Sequence, residues 1–313
     1  MTVIGALVAL VAQATAPVTP VVDAEGFSTQ ETEVLATSPD AAERMTLPIT
    51  IGEHGPYRFF VDTGSQATVI SRQIERDLSL VPDGTATLVG VASKQQVRLA
   101  QLDGLQLGSR TINGLSAPVL DRRHMGADGI IGLDTLQDLK VLLDFQNNRL
   151  AVVESASDDG SGNYEIVVRA RSKLGRLIVT DASIDGVRTT IIVDTGSQAS
   201  IGNLALLQRL RKGRQESVVG HDVNGGVIDA RLNSVRAIRI GNAQLSDIPI
   251  AFSDALVFEE LGIDRRPALI LGMQDMKLFD RVAIDFGKQR ILFDVPDRFR
   301  SGSMHRLGKA GAA

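Results

Sequence analysis

The sequence contains no cysteine and no tryptophan, and aromatic residues make up only 4% of its 313 residues. The lack of cysteine excludes disulfide bonds, thiol catalysis and thiolate metal sites. The four histidines are scattered and include no pair spaced four residues apart, so we predict no metal site and no cofactor. Because aromatic residues are scarce, we expect Val, Ile, Leu and Ala to fill the core.

Basic residues are fewer than acidic residues. The chain has 33 basic and 37 acidic residues, which gives a formal net charge of −4. A nucleic-acid-binding surface needs a clustered basic face, so we predict no nucleic-acid partner. No Lys or Arg precedes Arg44, which leaves the N-terminal region without the basic start that export signals normally carry.

The first 44 residues are nevertheless typical of an export signal followed by a linker. Residues 3–11 form an apolar run with the length of a signal-peptide core, too short for a comfortable membrane span, and two Ala-x-Ala sites follow. We predict a signal peptide over residues 1–16, export to the periplasm, and a linker over residues 17–44. Because the basic start is missing, a buried N-terminal strand is the alternative.

A seven-residue sequence, Val-Asp-Thr-Gly-Ser-Gln-Ala, occurs twice, at residues 61–67 and 193–199. Each copy follows apolar residues and leads into a short β-prone stretch. A strand that ends in Asp-Thr-Gly and turns sharply holds a carboxylate at a loop tip, and glycine permits the turn. Two such loops facing each other would bring Asp62 and Asp194 together. Close carboxylates share a proton and can act as base and acid on one water.

The repeat extends well beyond this motif. Residues 130–133 (Ile-Ile-Gly-Leu) match residues 270–273 (Ile-Leu-Gly-Met), and residues 141–145 match residues 282–286. Between the halves, residues 155–162 are Ser, Asp and Gly with one Ala, which is the composition of a linker. The chain is therefore a tandem repeat.

Short β-branched segments bounded by Gly, Asn or Asp indicate an all-β fold. We predict two homologous β-barrel lobes with short helices, an active site between the lobes, and a mobile tail. The lobes are expected at residues 45–154 and 164–296 and the tail at 297–313. The helices are expected at residues 70–78, 134–139, 203–212 and 274–279.

The paired Asp-Thr-Gly motifs, each with a downstream Ile-Gly or Leu-Gly segment, resemble those of the aspartic peptidases. The similarity is greatest to the retropepsin-like branch, with two copies in one chain, although pepsin-like enzymes carry a similar motif in each lobe. The resemblance implies acid-protease-like lobes, catalytic roles for Asp62 and Asp194, and a mechanism without metal or cofactor.

The resemblance also implies supporting roles around these aspartates. Threonine hydroxyls would reach the backbone of the opposite loop, serine hydroxyls would donate to the outer carboxylate oxygens, and the Ile/Leu-Gly segments would support the loops. The supporting residues are then Thr63, Gly64, Ser65, Thr195, Gly196, Ser197, Gly132 and Gly272.

Two hairpins are expected to cover the site, near residues 90–96 and 220–226, where Asn224-Gly225 is a hairpin-turn signal. Pepsin-like enzymes have one flap with a tyrosine, but Tyr57 and Tyr164 lie elsewhere, which favours retropepsin-like organisation. Which flap closes stays open at this stage.

The remaining polar residues of the repeat have simpler interpretations. We interpret Asp134, Asp144 and Asp285 as turn, cap or ladder residues. Gln66 and Gln198 would contact either the substrate or the lobe interface.

The predicted function is that of an aspartic endopeptidase hydrolysing proteins or peptides. The alternative of another class is a silent peptide-binding module that holds an extended chain in the same cleft. A peptidase that requires a second chain is a third possibility. We expect a monomer, because one chain supplies both loops.

Overall fold

The computed structural model describes residues 45–155, 164–211 and 216–296 in full, together with the backbone of four short strands outside these ranges. The described chain is mostly β, as predicted. Of the predicted signal peptide, linker and tail, most residues lie outside the described part. Within it, no helix is long and apolar enough to cross a membrane.

In the described part of the first half there are fourteen strands and three short helices. The strands are β1 (Val3–Gly5), β2 (Val34–Ala36), β3 (Ser38–Pro39), β4 (Met45–Ile51), β5 (His54–Val61), β6 (Val69–Ser71), β7 (Pro82–Val89), β8 (Lys94–Leu102), β9 (Leu105–Leu107), β10 (Arg110–Ile112), β11 (Leu115–Leu120), β12 (Gly129–Ile131), β13 (Leu139–Asp144) and β14 (Arg149–Glu154). The helices are α1 (Arg72–Asp77), α2 (Arg122–Met125) and α3 (Leu133–Leu136).

The second half repeats this arrangement with its own elements. The strands are β15 (Ile166–Arg169), β16 (Arg171–Lys173), β17 (Arg176–Val179), β18 (Ala182–Ile184), β19 (Val187–Arg188), β20 (Thr190–Val193), β21 (Ile201–Gly202), β22 (Glu216–His221), β23 (Val227–Ile240), β24 (Ala243–Phe252), β25 (Ala268–Leu271), β26 (Arg281–Asp285), β27 (Arg290–Asp294) and β28 (His305–Gly308). The helices are α4 (Leu204–Leu207), α5 (Leu256–Glu260) and α6 (Met273–Met276).

Each half forms an 11-stranded sheet. In the first half the order is β1-β7-β8-β11-β6-β12-β5-β4-β9-β10, with β3 paired to β4. In the second half it is β16-β17-β20-β25-β21-β24-β23-β18-β19, with β22 paired to β23 and β28 to β24. The two lobes therefore have matching topology, and the predicted two-lobe fold is confirmed.

The strand that leads into each Asp-Thr-Gly loop lies beside the strand of the Ile/Leu-Gly segment. β12 runs parallel to β5 with Ile131 opposite Val61, and β25 runs parallel to β20 with Leu271 opposite Val193. The Phe59, Phe60 and Ile191 side chains on these strands are fully buried. A strand buried on both faces is expected to be continuously apolar, as these segments are. The core thus anchors both loops at their bases.

A third sheet of six strands joins the lobes, in the order β15-β27-β26-β13-β14-β2. Its central pair, β13 and β26, is antiparallel, with Lys140 opposite Asp285 and Asp144 opposite Arg281. Asp144 Oδ1 also accepts the Asn147 N–H at 3.0 Å, and Asp285 Oδ1 accepts the Lys288 N–H at 3.0 Å. The predicted turn and ladder roles of these two aspartates are confirmed.

Several sequence-based boundaries need correction. The helices after the motifs are shorter than expected, and α2 and α5 were not predicted. Parts of the predicted linker and tail are paired strands, because β2 adds to the edge at β14 and β28 adds to β24. Sheet edges present unpaired backbone groups, so short flanking segments of weak sequence pattern can pair there. β1, which lies in the region predicted to be a signal peptide, pairs with β7.

Candidate active site

The two Asp-Thr-Gly loops meet between the lobes and bring Asp62 and Asp194 together, both fully buried. Each aspartate is oriented by its own loop. The Gly64 N–H donates to Asp62 Oδ1 at 2.8 Å, and the Gly196 N–H donates to Asp194 Oδ1 at 2.8 Å. The inner oxygen of each carboxylate is therefore held in the same way on the two sides.

The glycines of the two loops also contact the opposite carboxylate. A Cβ atom on Gly64 would lie 2.7 Å from Asp194 Oδ2, and one on Gly196 would overlap the carboxyl group of Asp62. Any larger residue at either position would force the carboxylates apart. The glycine is thus required by the approach of the two lobes as well as by the turn.

Hydrogen bonds between the threonines and the opposite loop connect the lobes. Thr63 Oγ1 donates to Val193 O at 3.0 Å, and Thr195 Oγ1 donates to Val61 O at 2.6 Å. Each Oγ1 in turn accepts the N–H of the other threonine at 3.1 Å. This symmetric set of bonds fixes the relative position of the loops, as the resemblance implied for these residues.

The serines differ from the expectation. The Ser65 hydroxyl donates to Ala67 O at 2.8 Å and the Ser197 hydroxyl to Ala199 O at 2.8 Å. A serine has a single O–H donor, so these hydroxyls are not available to the outer carboxylate oxygens. Their role here is to close the turn of each loop. The backbone N–H of Ser197, in contrast, does interact with Asp194 and lowers its pKa.

The Ile/Leu-Gly segments support the loops through backbone contacts. The Asp62 N–H donates to Ile131 O at 3.0 Å, and the Asp194 N–H donates to Leu271 O at 3.1 Å. A Cβ on Gly272 would lie 2.6 Å from the Ala199 carbonyl, and Gly132 is packed in the same way against the first loop. Glycine is needed because backbone packs directly on backbone.

The position after each of these segments carries a second support. Asp134 Oδ1 accepts the Thr68 hydroxyl at 2.7 Å and the Thr68 N–H at 3.0 Å. In the other lobe the Ser200 hydroxyl donates to Asp275 Oδ2 at 2.5 Å. Asp134, expected as a turn or cap residue, is not the cap of α3, because Gly132 holds that position and the Asp134 carboxylate bonds Thr68 of the first loop instead. Its partner in the repeat is Asp275, one residue later than simple alignment of the two glycines suggests.

Burial dominates the electrostatics of the pair. Burial and repulsion from Asp194 raise the pKa of Asp62 well above its ordinary value, and burial also raises the pKa of Asp194. Among the described residues, no donor reaches the Oδ2 atom of either aspartate. Two ionised carboxylates offer only acceptors, so a proton shared by the pair supplies the donor that two ionised carboxylates lack. The two groups consequently titrate as a unit.

Three further side chains lie near the loops, and of these Arg176 was not predicted from the motifs. From the sequence, two roles were open for Gln66, a contact with the substrate or with the lobe interface. Gln66 contacts the lobe interface, since its Nε2 donates to Leu174 O of the second lobe at 3.4 Å. Gln198 is buried. Arg176 is also buried, and its Nε donates to Gly64 O at 2.8 Å. The sequence did hold a signal for Arg176, because Arg44 and Arg176 each precede an aspartate by 18 residues (62 − 44 = 194 − 176 = 18).

Both expected flaps are present as hairpins, β7–β8 in the first lobe and β22–β23 in the second. Their tips contact each other. Asp222, on the second flap, accepts the Ala92 N–H at 3.1 Å and the Ser93 hydroxyl at 2.7 Å. Gln95 Nε2 donates to Asn224 Oδ1 at 3.0 Å. Neither flap alone closes the cleft, since the two form one cover.

Each flap tip also inserts a valine into the opposite lobe. Val91 is buried in an apolar cluster with Ile192 and Ile270 of the second lobe. Val223 is buried in a cluster with Phe60 and Ile130 of the first lobe. These partners come from the strands that carry the aspartate loops and their supporting segments, so each flap tip packs beside the base of the loop in the opposite lobe.

Comparison with known families agrees with this geometry. The sequence matches the aspartyl protease family over residues 47–135 and again over residues 180–274, together more than half of the chain. Each match includes one Asp-Thr-Gly loop and its supporting Ile/Leu-Gly segment. No curated protein matches the sequence. The chain therefore belongs to the aspartyl protease family, as a tandem repeat of two lobes.

Proposed function

We propose that this protein is an aspartic endopeptidase in which Asp62 and Asp194 act together on one water molecule. The ionised carboxylate removes a proton as the water attacks the peptide carbonyl, and the protonated carboxylate donates to the carbonyl oxygen. A proton then passes to the leaving nitrogen. The reaction needs no covalent intermediate and no metal.

The convergence of two buried carboxylates carries this proposal. Each is held by a glycine N–H at 2.8 Å, and no donor among the described residues reaches the outer oxygen of either carboxylate. Rigid loops that need no rearrangement during the reaction are what a preorganised site requires. The raised pKa values favour a shared proton, which supplies the acid and the base at once.

The cleft favours an extended peptide as substrate. Each lobe contributes a flap, and the two flap tips are bonded to each other. A chain bound beneath two flaps can continue in both directions, which supports cleavage within a chain rather than at its end. A module that only binds peptides would use the same cleft, but it would not require both carboxylates.

The test is hydrolysis of an unfolded protein such as casein, with and without pepstatin, by the wild type and by Asp62→Asn and Asp194→Asn. We expect the wild type to cleave and pepstatin to inhibit it. Each single variant should lose at least about a thousandfold in kcat, and the double variant should be no worse, because residues that act as a unit are non-additive.

The exposed Asp83 provides a matched control, since Asp83→Asn makes the same chemical change away from the cleft and should keep full activity. Circular dichroism checks that every variant is folded. Near-normal activity in either catalytic variant would exclude the two-carboxylate mechanism. A folded wild type that binds peptides without cleaving them would establish the binding module instead.

A further inference from the structure

A buried arginine from the second lobe contacts the catalytic loop of the first. Arg176 begins β17 and is 2% exposed. Its Nε–H donates to Gly64 O at 2.8 Å across the lobe interface. The adjoining turn packs on the same loop, since Leu174 O accepts the Gln66 side chain and a Cβ on Gly175 would lie 3.1 Å from Leu133.

Gly64 is the residue that lies between the two carboxylates. Its N–H donates to Asp62 Oδ1 at 2.8 Å. Its Cα atom packs against the Asp194 carboxylate, so that a Cβ atom at this position would lie 2.7 Å from Asp194 Oδ2. A guanidinium bonded to the carbonyl of this residue places a positive charge near both aspartates. Its charge lowers the pKa of both carboxyl groups against the larger effect of their burial, and burial lowers the pKa of Arg176 itself more than the two aspartates raise it.

The other elements around the pair contribute acids. α3 carries Asp134, α6 carries Asp275 and the flap tips carry Asp222, and these short segments hold no other ionisable side chain. Arg176 is the ionisable residue of β17. A pair that must keep one negative charge in a buried, largely acidic setting therefore gains from this guanidinium, which stays ionised even when buried.

We propose that Arg176 is a positioning residue for the reaction, which fixes the Gly64 peptide from the opposite lobe and keeps one negative charge on the Asp62–Asp194 pair. This inference rests on the proposed function. It assigns to the second lobe a direct influence on the first loop, in addition to supplying the second carboxylate.

The expected effect has a definite sign. Removing the positive charge disfavours both the first and the second ionisation of the pair. In Arg176→Gln, both limbs of the pH profile of kcat/KM should therefore move to higher pH, by about one unit. Arg176→Lys keeps the charge but not the planar guanidinium, so the limbs should stay close to those of the wild type while kcat falls.

Two further measurements separate this role from a structural one. Arg171→Gln removes the same charge from an exposed position on β16 and should leave the profile unchanged. Carbon-13 NMR of labelled aspartate carboxyl groups, with Asp62→Asn and Asp194→Asn for assignment, follows the ionisation of the pair without any turnover. The Arg176→Gln titration should shift upward as the kinetic profile does.

A uniform loss of activity in both Arg176 variants, with unmoved pH limbs and unmoved carboxyl titrations, would overturn the inference. If Arg176→Gln does not fold, Arg176→Met takes its place, because it also removes the charge while keeping the apolar length of the side chain, and it must show the same upward shift of the carboxyl titration. If the wild type lacks peptidase activity but the NMR shift occurs, the proposed function fails and the electrostatic role of Arg176 stands.

Discussion

At the scale of single residues, the two loop glycines determine how close the carboxylates come. Gly64 and Gly196 each contact the carboxylate of the opposite lobe, with no room for a Cβ. Burial of both carboxyl groups, together with the repulsion that Asp62 experiences from Asp194, raises the pKa of the pair, which favours a shared proton and costs folding free energy. Function and stability therefore oppose each other at Asp62 and Asp194.

This opposition predicts that Asp194→Asn stabilises the protein at neutral pH. In the unfolded chain both carboxyl groups have ordinary pKa values, whereas in the fold the pKa values are raised. The folded state then binds more protons, so stability falls as pH rises from the ordinary aspartate pKa through the raised values. The variant removes one of these groups, and its amide can donate to Asp62 Oδ2.

We expect a gain of about 1 kcal/mol at neutral pH, which raises Tm by about 2–4 °C. The gain should disappear as the pH is lowered toward the ordinary pKa of aspartate. Thermal unfolding followed by circular dichroism over this range measures it, with Asp83→Asn as the control. A variant that is less stable than the wild type at every pH would show that burying the two carboxyl groups does not lower the free energy of unfolding.

The sequence predicted which residues form the two loops, but it did not predict which atoms their side chains bond. The repeated motif identified both aspartates and both glycines, because only these residue types permit the approach. It could not show that the Ser65 and Ser197 hydroxyls turn back to their own loops, since a hydroxyl rotates toward whichever acceptor the folded backbone supplies.

At the scale of elements, the flaps are the parts whose position depends most on the other lobe. Glycine and the Asn-Gly turn predicted both hairpins. The tip valines, Val91 and Val223, are the equivalent positions, each 29 residues after an aspartate (91 − 62 = 223 − 194 = 29). Alternation along a strand cannot reveal that a tip side chain fills a pocket in another lobe.

The two flaps contribute unequally to the contact between them, because Asp222 of the second flap is the acceptor for donors from both tips. It accepts two donors from the first flap and two from its own, namely the Asn224 N–H at 3.0 Å and the Gly226 N–H at 2.7 Å. Asp222→Ala leaves these donors without a partner. Since such losses cost about 1–3 kcal/mol, amides at both flap tips should exchange with solvent at least about tenfold faster.

Hydrogen exchange measured by mass spectrometry tests this, and Asp229→Asn is the control. Asp229 lies exposed on β23 of the same hairpin, so that variant changes one charge without touching the tips. If exchange in residues 90–93 is unchanged in Asp222→Ala, the first flap is not held by Asp222. Val223→Ala, which removes apolar contact but no acceptor, should loosen the second flap more than the first.

At the scale of the whole molecule, the six-stranded sheet makes the two lobes one unit. β13 and β26 pair antiparallel at its centre, and the bonds are reciprocal. The Phe145 N–H donates to Asp280 O at 2.9 Å, and the Phe286 N–H donates to Leu139 O at 3.1 Å. The sequence predicted that these segments match. It could not predict that they pair with each other, because pairing between distant strands leaves no local pattern.

The joint sheet and the shared site together predict that the working molecule is a single chain. Each half supplies one carboxylate and one side of the central strand pair, and the tether keeps the second half at high effective concentration. The specific activity of the intact protein should therefore not change on dilution, and size-exclusion chromatography should show a monomer at every concentration. Activity that falls on dilution would show that the working site forms between chains.

A truncated chain of residues 45–155 gives the complementary result. It would expose the edge of β13, the strand that carries the buried residues Val141 and Leu143, and it would lack the second carboxylate. Exposed apolar edges favour association, so we expect aggregation or a homodimer that brings two copies of the first loop together. Any activity of that dimer must fall on dilution, in contrast to the intact chain. A truncated monomer with dilution-independent activity would mean that Asp194 is dispensable, and it would contradict the proposed two-carboxylate mechanism.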